Sequence, residues 1–294
     1  MLILLRNACF YLLMYKIILT FIIMGFLQLQ GIASVQVIAH AQIPQGQTFI
    51  AFLSQSKEVE SAIALFRDKT YPFFLCDEGF RAHIPTMPEE KTGEFILTAE
   101  VVMKDKRAFF CETPVNIIPL DYKRIDFSLP PAKKSLTKGS IMVDEWAIIE
   151  EVLLKESPLK LWEGKFLKPV PGITTMAFGV REYINNKYRN RHRGWDLRSP
   201  IGTKVKVPNN GKVVLTDKFK AFGGTVVVDH GQGVFSLFFH LSKIFVKAGN
   251  YLNKGDILGL TGNTGISSGP HLHWGLSVHN VRVEPKSWVL TVMP

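Results

Sequence analysis

No Cys-x-x-Cys pair, no His-Glu-x-x-His run and no Gly-Lys-[Ser/Thr] loop ending occurs in the 294 residues. The first absence argues against thiolate-rich structural zinc modules. The second excludes the helical zinc proteases that use that glutamate as base, and the third a phosphate loop in the Gly-rich stretch Gly259–Gly269, where β-turn chemistry is expected instead. Cysteine is scarce. Cys9 lies in an apolar N-terminal segment, which leaves Cys76 and Cys111 as one disulfide in an oxidising compartment or as two core thiols. No zinc-finger, helix-turn-helix or RNA-binding signature accompanies the basic charge, so no nucleic-acid partner is expected.

That charge is unevenly spread. Residues 42–159 hold 14 basic and 18 acidic side chains, whereas residues 160–294 hold 19 basic and only 7 acidic ones. A basic half attracts a polyanion, and an anionic cell envelope is the candidate the N-terminus favours. Ile17–Leu27 is almost wholly apolar and follows Lys16, but it is shorter than the roughly 20 residues of a comfortable transmembrane helix. With Ala39-His40-Ala41, or Ile32-Ala33-Ser34, as a small-x-small site, it describes an export signal. Met14 is a more conventional start than Met1. Leu2–Leu13 adds further apolar residues, so the alternative is an uncleaved membrane anchor through residues 1–30. Either way the chain is expected to be exported, to the periplasm or cell envelope.

The expected fold is mainly β. Residues 1–41 form the signal or anchor. Residues 42–130 read as an immunoglobulin-like β-sandwich, because Gln47–Leu53, Glu94–Met103 and Val115–Leu120 are rich in β-branched and aromatic residues between polar or proline turns. Pro130-Pro131 stops helix and ladder alike and opens a linker over 131–170. Within it, Met142, Trp146, Ile149, Val152 and Leu153 recur at helical spacing over Ile141–Glu156, a packing helix with no evident chemistry. From 171 to 294 short strands return, clearest at Lys212–Leu215, Gly224–Asp229, Val234–Phe239, Ile257–Leu260 and His271–Val278.

Six of the eight histidines fall between positions 192 and 279. In His192-Arg193-Gly194-Trp195-Asp196 an imidazole and a carboxylate flank a glycine that lets the backbone bend, and both are good zinc ligands. His271 and His273 stand two apart in a strand-like run, so both project from one face while Leu272 points to a core. His240 shares an alternation with Val234, Ser236 and Phe238, which places it on the face of the even-numbered residues. Three ligands with one open position is the pattern of a catalytic zinc. With no glutamate base, a histidine is suited to that role, because its pKa lies near neutrality. His230 and His279 read as turn residues.

HRGWD, DHGQG at 229–233, FFHLS at 238–242 and SGPHLHWGL at 268–276 resemble, in order and spacing, the motif set of the lysostaphin/LytM-type zinc metalloendopeptidases of peptidoglycan. The likeness runs from about Phe178 to Pro285. It implies a C-terminal antiparallel β-sheet domain of the duplicated-hybrid-motif type and one Zn²⁺ held by His192, Asp196 and His273. It further implies His271 as general base on the water, and His240 as an assisting residue that stabilises the transition state. The peptide stems of peptidoglycan would be the substrate. Phe239 and Phe238 stand where the family commonly has a small residue and a tyrosine, and Met176-Ala177 precedes Phe178-Gly179 where Ser-Pro is usual. The upstream β-domain resembles secreted Gram-negative members, and its acidic balance suggests an intramolecular contact with the basic domain. Relatives that lost metal ligands act as regulators of other wall hydrolases; that is the alternative function, and here all five residues are present.

Overall fold

The computed structural model describes residues 36–39, 42–53, 57–77, 79–127, 140–184 and 187–293. The expected apolar export segment lies outside them. Val37–Ala39 is described, and it pairs with Thr48–Leu53 at the edge of a sheet. A cut after Ala41 therefore removes an edge strand, whereas a cut after Ser34 leaves it in place. Among the described residues no helix is long and apolar enough to cross a membrane.

The chain is mainly β, as its turn spacing predicts. In the first part a four-stranded sheet runs Val37–Ala39, Thr48–Leu53, Gly79–Pro85, Phe74–Cys76. A five-stranded sheet runs Gln42–Pro44, Ala108–Ile118, Gly93–Met103, Val59–Phe66, Lys69–Pro72. Alternate residues face inward, such as Leu97, Ala99, Val101 and Met103 of one strand. This is what a half-buried antiparallel strand requires. Phe49 and Phe66 meet edge to face between the two sheets, 5.4 Å apart. Cys76 and Cys111 sit on different sheets and carry thiols, not a shared disulfide.

Strand Arg124–Phe127 does not join either of these sheets. It runs parallel to Arg181–Ile184, which turns back antiparallel into Lys187–Arg191, so the end of the first part shares a ladder with the hairpin just before His192.

The main sheet is ordered Ile173–Met176, Trp195–Arg198, His271–Val278, Val234–Leu241, Gly224–Gly231, Gly211–Lys218, Tyr251–Leu252, with Val281–Val283 beside His271–Val278. Every residue of Gly224–Gly231 and Val234–Leu241 is buried, because both faces of these strands are covered. One face holds Val226, Val228, Phe238, Leu272 and Trp274 in a core closed by Trp162, Phe166 and Trp288. Trp162, Phe166 and Val170 therefore lie in the core, although they fall in the stretch expected to be linker. The other face packs Val227, Phe235, Leu237 and Phe239 against Ile149 and Leu153 of helix α1 (Ile141–Leu153).

His230 lies in the end of strand Gly224–Gly231, not in the turn after it. It is fully buried, with Nδ1 2.7 Å from the Asn210 carbonyl and Nε2 2.9 Å from Ser236 Oγ. Burial pushes its imidazole down from 6.5 to about 4, the bond to Asn210 opposing only in part. The folded protein thus holds this proton less tightly than the unfolded chain. Stability is complete above about pH 6.5 and falls as the pH drops towards 4, by up to about 3 kcal/mol for such a shift. The urea midpoint of wild type is expected to drop over this range more steeply than that of His230→Gln. Parallel slopes would remove His230 as the cause. The difference between the two proteins is the readout, because burial raises neighbouring Asp229 to about 6 and works in the opposite direction. His279, by contrast, sits with Asn280 in a tight turn where both have positive φ, at 47° and 57°.

Candidate metal centre

Strands Trp195–Arg198 and His271–Val278 pair antiparallel with Asp196 directly opposite His273. Cross-strand partners share a face, so carboxylate and imidazole meet: His273 Nδ1 lies 2.8 Å from Asp196 Oδ1. His192 arrives from the turn before the strand, its Nε2 3.0 Å from Asp196 Oδ1 and 3.1 Å from His273 Nδ1. Gly194 permits this convergence. A Cβ there would stand 2.4 Å from His273 Nε2 and 2.8 Å from the Trp274 carbonyl oxygen, inside any real contact.

The donor chemistry tests whether a metal fits. His192 Nδ1 lies 3.0 Å from the Ala177 carbonyl, which can only accept, so this nitrogen carries the ring proton. Its Nε2 then turns a lone pair towards a carboxylate oxygen and a second imidazole nitrogen. One proton cannot satisfy all three edges of that triangle; one cation can. His192, Asp196 and His273 form a group able to hold a metal ion. Without one, the charge is balanced by a proton. Burial would lower His192, but the Asp196 carboxylate outweighs it and raises the imidazole to about 8. Burial, only partly offset by Asp196, pushes His273 down to about 4. Asp196 itself is held well below the usual carboxylate range: its burial acts upward, and the contacts with His192 and His273 overcome it.

A cleft of about 570 Å³ opens over this triangle. His271 and His273 both line it, while Leu272 between them is buried in the core. His271 Nδ1 is 2.8 Å from the Gly269 carbonyl and 3.2 Å from Ser267 Oγ, and its Nε2 is 3.6 Å from Asp196 Oδ2.

His240 also lines the cleft, but not for the reason its alternation suggests. Phe238 and Val234 belong to the opposite face, in the core. The face that meets the site is that of Phe239, which pairs with His273 and stacks on its ring at 5.3 Å and 19°. His240 follows Phe239 onto this side because its backbone takes φ 64°, which breaks the two-residue period at the strand end. Its ring centre is 4.9 Å from His271 and its Nδ1 donates to the Thr264 carbonyl at 2.8 Å. Burial, then the neighbouring His271 and His273, holds the imidazole well below 6.5, hence neutral.

Other contributors gave no signal in the sequence. Glu145 of α1 accepts backbone N–H bonds from Lys220, Ala221 and Phe222 at 2.7–3.2 Å. The loop so held receives the His240 N–H on the Phe222 carbonyl at 3.0 Å. Met142 and Trp146 of the same helix line the cleft, so the segment expected to be a mere spacer forms one of its walls. Buried Glu182 and Arg282 line it too. From the first part of the chain, Glu89 forms a bidentate pair with Arg193 at 2.7 and 3.0 Å and stands 3.4 Å from Arg191.

Two histidines and one aspartate thus converge on an antiparallel sheet, beside a cleft lined by two more histidines. Residues 190–285 match the model of peptidase family M23. The chain is 45% identical over 87 residues to peptidoglycan DD-endopeptidase ShyA of Vibrio cholerae, covering 30% of this chain and 20% of that protein. It is 37% identical over 93 residues to peptidoglycan DD-endopeptidase ShyB of the same organism, covering 32% and 22%. The chain thus spans only about a fifth of the length of these curated relatives. A solved structure of a Pseudomonas aeruginosa protein assigned to peptidase M23 is similar over more of the chain. It shares 27% identity at a TM-score of 0.63, covering 83% of this chain and 93% of that one.

Proposed function

We propose that the chain is a zinc-dependent endopeptidase that hydrolyses peptide crosslinks of peptidoglycan in the cell envelope. The observation that carries this reading is the triangle of His192, Asp196 and His273, with His271 and His240 placed on its open side. Two imidazoles and one carboxylate suit zinc. When bound, zinc supplies a Lewis acid that polarises the scissile carbonyl and acidifies water.

The chain's own residues do the rest. His271 donates Nδ1–H to Gly269, so a neutral ring turns the Nε2 lone pair into the cleft as proton acceptor. It takes a proton from the attacking water and returns it to the leaving amine. His240, fixed through Nδ1–H to Thr264, likewise presents an acceptor while neutral. It therefore has no N–H to offer a developing oxyanion until it gains a proton. The basic second half draws in anionic wall polymer, with 19 basic against 7 acidic residues over 160–294. Direct D-Ala–diaminopimelate crosslinks fit the domain layout better than glycine bridges.

The test is chromatography of purified wall fragments after incubation with the zinc-loaded chain. Crosslinked dimers are expected to convert to monomers, and a chelator to stop the conversion. Intact dimers after prolonged incubation with zinc-loaded protein would sink the reading.

A further inference from the structure

Three of the arginines that line the cleft are accounted for within the chain. Arg191 and Arg193 face Glu89, and Arg189 donates to Met142 Sδ at 3.2 Å. Arg282 is different. It is the only buried arginine among the described residues, 8% exposed, and none of their carboxylates forms an ion pair with it. Its Nη2 donates to the Arg193 carbonyl at 2.6 Å, and its Nε is buried with no partner. A buried cation without a counter-charge is costly, and such groups in native proteins are almost always paired.

The surroundings are built around the guanidinium. It lies over Gly275, where a Cβ would overlap Nη2, so the strand carrying His271 and His273 is stripped of a side chain to make room. Trp146 of α1 covers it, 5.4 Å from ring centre to Cζ. The Arg193 carbonyl that it grips belongs to the loop between His192 and Asp196. Burial and the nearby Arg193 charge push the guanidinium down to about 9, which still leaves it cationic at neutral pH.

We infer that Arg282 binds a free carboxylate of the peptide substrate, one carried within a residue of the scissile amide. The inference rests on the endopeptidase reading and adds to it the chemical feature the cleft selects. A planar guanidinium whose Nε has no partner matches a carboxylate in charge and fork geometry. The ligand's charge supplies the missing counter-ion as the cleft loses water.

The test uses two crosslinked peptides, identical except that the residue beside the scissile amide bears a carboxylate in one and a primary amide in the other. Zinc-loaded wild type is expected to favour the carboxylate by at least about tenfold in kcat/KM, mainly through KM. In Arg282→Met this preference is expected to vanish, the larger loss falling on the carboxylate peptide. Equal rates on both peptides by wild type would overturn the inference, as would an equal loss on both in the variant, the signature of a purely structural role. Should Arg282→Met fail to fold by circular dichroism, the wild-type ratio and Arg282→Lys decide, since lysine keeps the charge and loses the fork. If wild type cleaves neither peptide, the endopeptidase reading fails separately. Calorimetric binding of the same pair then judges Arg282: tighter binding of the carboxylate supports it, and equal binding overturns it.

Discussion

Asp196→Ala is expected to lose zinc and peptide hydrolysis together. The carboxylate is the only anionic member of the triangle, and its Oδ1 touches both partner nitrogens, at 3.0 and 2.8 Å. Its removal leaves two imidazoles against a divalent ion and also frees His192 from the charge that holds its proton. Altering groups that merely orient a ligand commonly costs about 10- to 100-fold in metal affinity or activity, so losing a ligand should cost more, about a thousandfold or beyond. Metal content after dialysis, read by mass spectrometry beside turnover, checks both halves. A variant that keeps one equivalent of zinc would show that the ion sits elsewhere.

His271→Ala should behave differently. The substitution leaves all three triangle atoms in place, so zinc content should match wild type. Hydrolysis is expected to fall by about a hundredfold to ten-thousandfold, the usual worth of a positioned base. The loss should appear in kcat with KM little changed, because proton transfer belongs to the transition state and not to binding. Retained zinc with undiminished kcat would transfer the base role to His240, whose Nε2 is the other acceptor facing the cleft. The two variants together thus separate holding the metal from moving the proton.

Much of the architecture was legible because strands announce themselves locally. Gly224–Gly231, Val234–Leu241 and His271–Val278 coincide closely with apolar runs between glycine turns, and helix α1 with its three-and-four spacing. The i, i+2 spacing of His271 and His273 also translates directly into one face. His240 reaches the cleft against its alternation. Alternation puts position 240 with Phe238, and only a left-handed backbone at that residue reverses it. Such a dihedral leaves no trace in hydrophobic pattern at a non-glycine position. Glu145, Glu182 and Arg282 were invisible for a further reason. Each matters through what a distant segment brings beside it, such as the three amides of residues 220–222 that meet Glu145 across 75 to 77 positions. Likewise, Trp162 and Phe166 looked like linker because they lack a period of their own; their burial is decided by Trp288, over 120 residues on.

The parallel pairing of Arg124–Phe127 with Arg181–Ile184 ties the sandwich to the hairpin that leads into His192. Pulling the two parts of the chain apart means tearing main-chain hydrogen bonds, not just sliding side chains past one another. Heat should therefore melt them as a single cooperative block, so that a lesion in the sandwich is felt as lost activity at working temperature even though it touches no catalytic atom.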